Sequence, residues 1–169
     1  FNHNHQSYRV VTELETRYPQ FPGLNLTYET LEGIAKHETE YDLSEAAEFD
    51  PETRGSVEAQ IANVADELAY NAHDLDDGLQ SGLITPYQLE KLDIWQRLCE
   101  RLEWTGGELT EIDRHRFIRE LVGMQVSDVL KETTARLDEL KPKSSLDVQK
   151  HPANVVAHSA GQKVLNRAL

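Results

Sequence analysis

SVEAQIANVADELAYNAHDLDDGLQSG, residues 56–82, is the stretch whose reading decides the fold. At helical period, Val57, Ile61, Val64, Leu68, Ala72, Leu75, Leu79 and Leu83 recur every three or four positions, which predicts the buried stripe of a long amphipathic helix. Ser56 is placed to cap it, and Glu58 to meet the positive end of the helix dipole. Roughly opposite lie Asp66, Tyr70, His73, Asp74 and Asp77, within about 100° of one another on the cylinder. A solvated acidic face satisfies that spacing. Two features weigh against it. A tyrosine suits solvent poorly, and like charges on neighbouring turns cost about 0.2–0.5 kcal/mol unless a cation sits among them. A metal ion or a pair of sugar hydroxyls would employ those oxygens.

The chain has 169 residues, enough for one domain with a real core, and its 38% hydrophobic and 28% charged content is that of a globular protein. No apolar run approaches the ~20 residues of a membrane span, so no membrane association is expected. Cys99 is the single cysteine and cannot form an internal disulfide, which points to a reducing cytoplasm. A net charge of −13 disfavours nucleic acid as a partner, and any phosphate-bearing ligand would need a metal or a local group of cations. Because the sequence starts at Phe1 inside one helical pattern and stops inside another, a piece of a longer chain is expected.

Outward from the central helix, residues 1–18 read as a helix, ended by the prolines and glycine of Tyr18-Pro-Gln-Phe-Pro-Gly23. Thr27 caps a second helix that fades near Tyr41, and residues 42–55 read as an acidic surface loop. Thr85-Pro86 opens a helix through Leu102 with Leu89, Leu92, Ile94 and Trp95 inward, and Thr105-Gly-Gly107 breaks the pattern. Thr110 opens another helix to about Leu140, with core candidates Ile112, Phe117, Ile118, Leu121, Val126, Val129 and Leu130. Residues 141–154 read as a linker, and Ser159 starts a final helical piece. No stretch alternates with period two. The expected architecture is an all-α bundle of five or six helices forming a single domain, 1–84 carrying the site and 85–169 a C-terminal helical part.

Seven histidines invite a metal reading, yet no HExxH, CxxC or EF-hand pattern exists, and no glycine-rich phosphate loop or GxSxG elbow is present. His3 and His5 point apart on a helix, His115 lies between arginines, and His151 and His158 sit in or beside the linker without partner spacing. His73 adjoins Asp74 but is not read as a metal ligand.

Three ordered motifs carry a family resemblance. NVADELAYNAHDLDDGLQSGLI (63–84) resembles the last motif of the bacterial dGTP triphosphohydrolase-like proteins, within the HD-domain phosphohydrolases. FNHNHQSYRVV (1–11) resembles their Phe-x-His/Gly-Asn-x-Gln-x-x-Arg segment, and RYPQFPGLNLTYETLEGIAKHETEYD (17–42) is similar in the same order. The likeness is looser from 110 to 169, where ELVGMQVSDVL and VLNRAL carry it.

The resemblance implies part of an HD-domain fold and hydrolysis of a dNTP to a deoxynucleoside and triphosphate by an oligomeric enzyme using a divalent metal, Mn²⁺ or Mg²⁺. Such enzymes hold the metal with a His, an adjacent His-Asp pair and a later Asp, and Asp66 matches the later Asp. Tyr70 and Asp74 match positions that read the deoxyribose, while Asn4 and Lys36 match positions near the triphosphate, with His37 beside them. The first His, the His-Asp pair and the residues catalysing proton transfer all precede the opening motif in that family, and none is in this sequence. Asp74 matches a sugar-reading position, so His73-Asp74 does not replace the missing pair. Weak metal binding and no turnover are therefore expected of this piece alone. Another HD-domain nucleotide phosphohydrolase, or a non-catalytic helical module that assembles with a partner, are the alternatives.

Overall fold

A computed structural model describes residues 3–37 and 49–169. Among them the secondary structure is helical: α1 His3–Arg9, α2 Tyr28–Ala35, α3 Val57–Ser81, α4 Pro86–Leu89, α5 Asp93–Leu102, α6 Glu111–Leu140, α7 Ser145–Gln149 and α8 Ala160–Asn166. The only bridges among these residues are the isolated pairs Thr16–Gly23 and Tyr18–Phe21, so the all-α expectation holds. No described helix is long and apolar enough to cross a membrane. The residues group into two compact units, the first with the described residues up to Ala65 plus Arg136–Val156, the second with Asp66–Ala135 and Ala157–Leu169.

In the first unit, the helix expected over 1–18 is shorter. After α1 the chain widens into a π turn, Val10–Leu14, and Glu15 is already extended. The orphan carbonyls at this end are met from outside, by Leu24 N–H on Val11 O at 2.8 Å and Gly23 N–H on Glu15 O at 2.8 Å. Gly23 has φ +77°, and a Cβ there would lie 2.5 Å from Thr12 O and 2.6 Å from Val11 O. Only glycine fits both the backbone and the space. Thr27 caps α2 as expected, but the helix ends at Ala35, and the expected fade near Tyr41 lies outside the described residues. Phe49 is buried, its ring 6.1 Å from Tyr8 and 5.1 Å from Tyr28.

The supposed linker at 141–154 is not free chain. It contains α7, capped by Ser144, and the irregular segment 150–156 that follows is bound by side chains remote in sequence. The Arg54 guanidinium donates to His151 O, Pro152 O and Asn154 Oδ1 at 3.2, 2.6 and 3.3 Å. Gln60 Oε1 accepts from Val155 N–H and Val156 N–H at 2.8 and 3.2 Å, and Arg136 donates to Asn154 O at 2.7 Å. An irregular segment lacks its own ladder of hydrogen bonds, so side chains supply one.

In the second unit, Leu75, Leu89, Ile94, Trp95, Leu98, Phe117, Leu121 and Leu165 form the core. Trp95 stacks on Phe117 with centroids 4.5 Å apart, and Trp104 meets both rings edge-on. The single helix expected from Tyr87 to Leu102 is two. Thr85 opens α4 with its N–H on Gln88 Oε1 at 2.8 Å; Leu92 is then extended, and Gln96 Nε2 meets the Glu90 carbonyl at 2.8 Å. The break lets Leu89 and the Ile94–Trp95 pair share one core, which a straight helix would spread around its surface. Thr110 and Ser159 open α6 and α8 as expected.

Several inward assignments fail. Ile61, Leu83, Ile112, Val126 and Leu130 are exposed, because the stripes of long helices outrun the elements that cover them. His158 is instead buried, with Nδ1 3.4 Å from Asp128 Oδ2, and Ser159 donates to the same carboxylate through N–H and Oγ at 2.9 and 2.6 Å. A polar seam continues from Gln125 through Asn166 to Gln162.

Gly23→Ala is expected to lower stability by about 2 kcal/mol or more, read from the urea midpoint, since the added methyl meets backbone on a left-handed residue. Asp147 Oδ2 accepts from the backbone N–H groups of Lys143 and Ser144, chiefly the former, and its carboxyl is held below the ordinary range. That cap is complete above about pH 4, the ordinary carboxylate range, and is lost as pH falls through the lowered value. A side-chain NMR titration should accordingly give Asp147 a midpoint below the ~3.9 of a model peptide.

Candidate functional site

Two groups of sequence-predicted residues can be placed. The first is the stripe of α3. Ala72 and Leu75 are buried on the core side, while Tyr70, His73, Asp74 and Asp77 are exposed and Asp66 is half-buried. Asp66, Tyr70 and Asp74 stand at i, i+4 and i+8, so they share one face of the helix on successive turns. Asp76 points elsewhere and pairs with buried Arg114. Upstream, Ser56 Oγ accepts from Ala59 N–H at 3.3 Å and begins the helix as expected. The Glu58 carboxyl is held below its usual value by its own backbone N–H and by the Ser56 hydroxyl.

The second group lies in the first unit, where Asn4 and the end of α2 are brought together. Asn4 is buried and its Nδ2 donates to His37 O at 2.6 Å. The His37 ring meets Asn63 Oδ1 through Nδ1 at 2.7 Å and lies edge-on to His3 with centroids 6.0 Å apart.

Lys36 is placed differently from an open phosphate-binding lysine. Its Nζ has Glu32 Oε1 at 2.7 Å, Asp50 O at 2.7 Å, Thr53 O at 2.9 Å and Thr53 Oγ1 at 2.8 Å. An ammonium has three protons, so these acceptors saturate it. Both partners of the Lys36–Glu32 pair are buried, with side chains 7% exposed. The other oxygen of Glu32, Oε2, accepts from Gln149 Nε2 at 3.0 Å. Extracting the lysine would leave a buried carboxylate uncompensated, a cost of about 3–5 kcal/mol, so the caged position dominates.

Sequence reasoning missed Glu32, Asn63 and Gln149. Glu32 stands four residues before Lys36, the favourable order for a helical ion pair, and could have been found. Gln149 is 117 residues from Glu32, and no local pattern announces it.

The divalent metal implied by the resemblance does not fit these residues alone, because no three His, Cys, Asp or Glu side chains converge among the described residues. Cys99 is half-buried and burial pushes its thiol above the ordinary value, so it is a poor nucleophile.

The fold and the α3 face define an all-helical chain with a carboxylate–tyrosine–carboxylate stripe. Along its whole length that chain is related to bacterial deoxyguanosinetriphosphate triphosphohydrolase-like proteins. It is 40% identical to the one from Deinococcus deserti over 168 residues, covering 99% of this chain and 42% of that protein. The relative from Geobacter sulfurreducens is 43% identical over 175 residues, covering 100% of this chain and 45% of that protein, and one from Parvibaculum lavamentivorans is 40% identical over 188 residues. No protein-family model matches. The chain thus spans less than half the length of the curated relatives it matches.

Lys36→Met is expected to lower stability by about 3–5 kcal/mol in chemical denaturation by stranding Glu32. Glu13→Ala, which breaks the exposed Arg9–Glu13 pair, should change it by less than about 0.5 kcal/mol.

Proposed function

We propose that this chain is part of a metal-dependent dNTP triphosphohydrolase of the HD-domain type, acting in the cytoplasm as a homo-oligomer and releasing a deoxynucleoside and triphosphate. The observation that carries the reading is the α3 face, Asp66, Tyr70 and Asp74 on successive turns away from the buried Ala72 and Leu75, in a chain similar throughout to proteins named for dGTP hydrolysis.

Each residue has a chemical part. Asp74 supplies a carboxylate that accepts from a sugar 3′-hydroxyl, and Tyr70 supplies a phenol and an apolar ring beside it. Asn4 supplies an amide at the end of α2, where the triphosphate is expected, and Lys36, paired with Glu32, holds that corner by fixing the backbone of Asp50 and Thr53. Asp66 is the one metal ligand proposed in this chain. The metal would polarise a phosphate and its attacking water. No hydrolytic step is assigned to these residues alone.

The test uses the full-length protein that carries this chain, incubated with dGTP and Mn²⁺, with the phosphate products resolved. Triphosphate with deoxyguanosine supports the reading. Pyrophosphate or orthophosphate would move it to another phosphohydrolase chemistry, and no product from any dNTP would overturn it. Asp66→Ala should lower kcat by about 100-fold or more, the scale of losing a metal's charge stabilisation, while the melting temperature changes little.

A further inference from the structure

We propose that Glu32 and Gln149 are positioning residues for the corner formed by Asn4, Lys36 and His37, and that the segment 149–156 thereby sets the phosphate side of the site. The inference rests on the functional reading above, which places Asn4 at that side.

The chain of contacts is continuous within the first unit. Gln149 Nε2 donates to Glu32 Oε2 at 3.0 Å and to Arg54 O at 3.3 Å, and its carbonyl accepts from Arg54 N–H at 2.8 Å. Glu32 Oε1 takes Lys36 Nζ, which also binds the backbone of Asp50 and Thr53. Lys36 N–H closes the last turn of α2 on Glu32 O at 2.8 Å, and the next residue, His37, presents its carbonyl to Asn4 and its ring to Asn63.

Glu32 divides its two oxygens between two masters. With Gln149 in place, the carboxylate cannot rotate without losing one donor, so the ammonium it holds has one position. Remove Gln149 and a buried carboxylate oxygen has lost its donor; the group must turn toward whatever donor remains, carrying Lys36 and the 50–53 backbone with it. Asn4 then meets a displaced His37 carbonyl. Gln149 touches none of the residues proposed to meet substrate, so it acts only through Glu32 and Arg54.

The test is Gln149→Leu in the full-length protein, read by amide hydrogen exchange and by steady-state kinetics with dGTP and Mn²⁺. Exchange should quicken at 34–37 and 50–54 while α5 stays unchanged, and KM should rise about 5-fold with kcat within about 2-fold, the signature of lost ground-state positioning. Gln149→Glu, which sets a second carboxylate against Glu32, should exaggerate both effects, and Lys150→Ala, on the exposed neighbour, should move neither. Unchanged exchange at 34–37 and 50–54 would overturn the proposal, and so would faster exchange with KM unmoved, which would make Gln149 a purely structural residue. A wild-type protein without dNTP hydrolysis would overturn the functional reading itself, while the exchange rates still decide whether Gln149 holds the corner.

Discussion

An ammonium group taken out of water must find acceptors for all its protons and a counter-charge for itself, and in the first unit everything around Lys36 answers that demand. Glu32 supplies the charge from one turn earlier on α2. Asp50 and Thr53 supply carbonyls, which fixes the backbone just before Arg54 and Gly55. Glu32 in turn requires Gln149, and Arg54 requires the carbonyls of His151 and Pro152. Through Glu32, one buried cation is thus linked to Gln149, more than a hundred residues away in sequence.

The second unit follows a different rule. Trp95 and Phe117 stack over a fully apolar set of leucines and isoleucines, where geometry follows from shape and area. Beside that set runs the amide seam from Gln125 to Asn166 and Gln162, then the Asp128 carboxylate under the first turn of α8. Apolar packing supplies most of the free energy, while the polar seam fixes which turn of α8 meets which turn of α6. Buried amides tolerate few alternative registers.

The α3 stripe shows how a helix presents a chemical face without distorting. Its apolar side is buried at Ala72 and Leu75, and the opposite face gathers two aspartates and a tyrosine at one-turn spacing. Tyr70 and Asp74 are exposed on that face. The cation near the proposed phosphate side differs from an open binding lysine: Lys36 is rigid and neutralised by Glu32, so it contributes by placing backbone and amide groups.

Much of this was legible in the sequence. The period of residues 57–81 named α3 and its chemical face; Thr27, Thr85, Thr110 and Ser159 named the starts of their helices, because caps and hydrophobic periods are local properties written within a few residues. The break between α4 and α5, the burial of His158 and the exposure of Ile61 and Leu83 were not legible, since they depend on which surfaces other elements cover. Residues 141–154 read as a linker because, beyond the short capped turn of α7, the groups that hold them lie far away in sequence. Only the tertiary structure supplies Arg54, Gln60 and Arg136 as partners, and only it shows Lys36 enclosed by Glu32, Asp50 and Thr53. A side chain's identity states what it can bond, and its neighbours across the fold decide what it does bond.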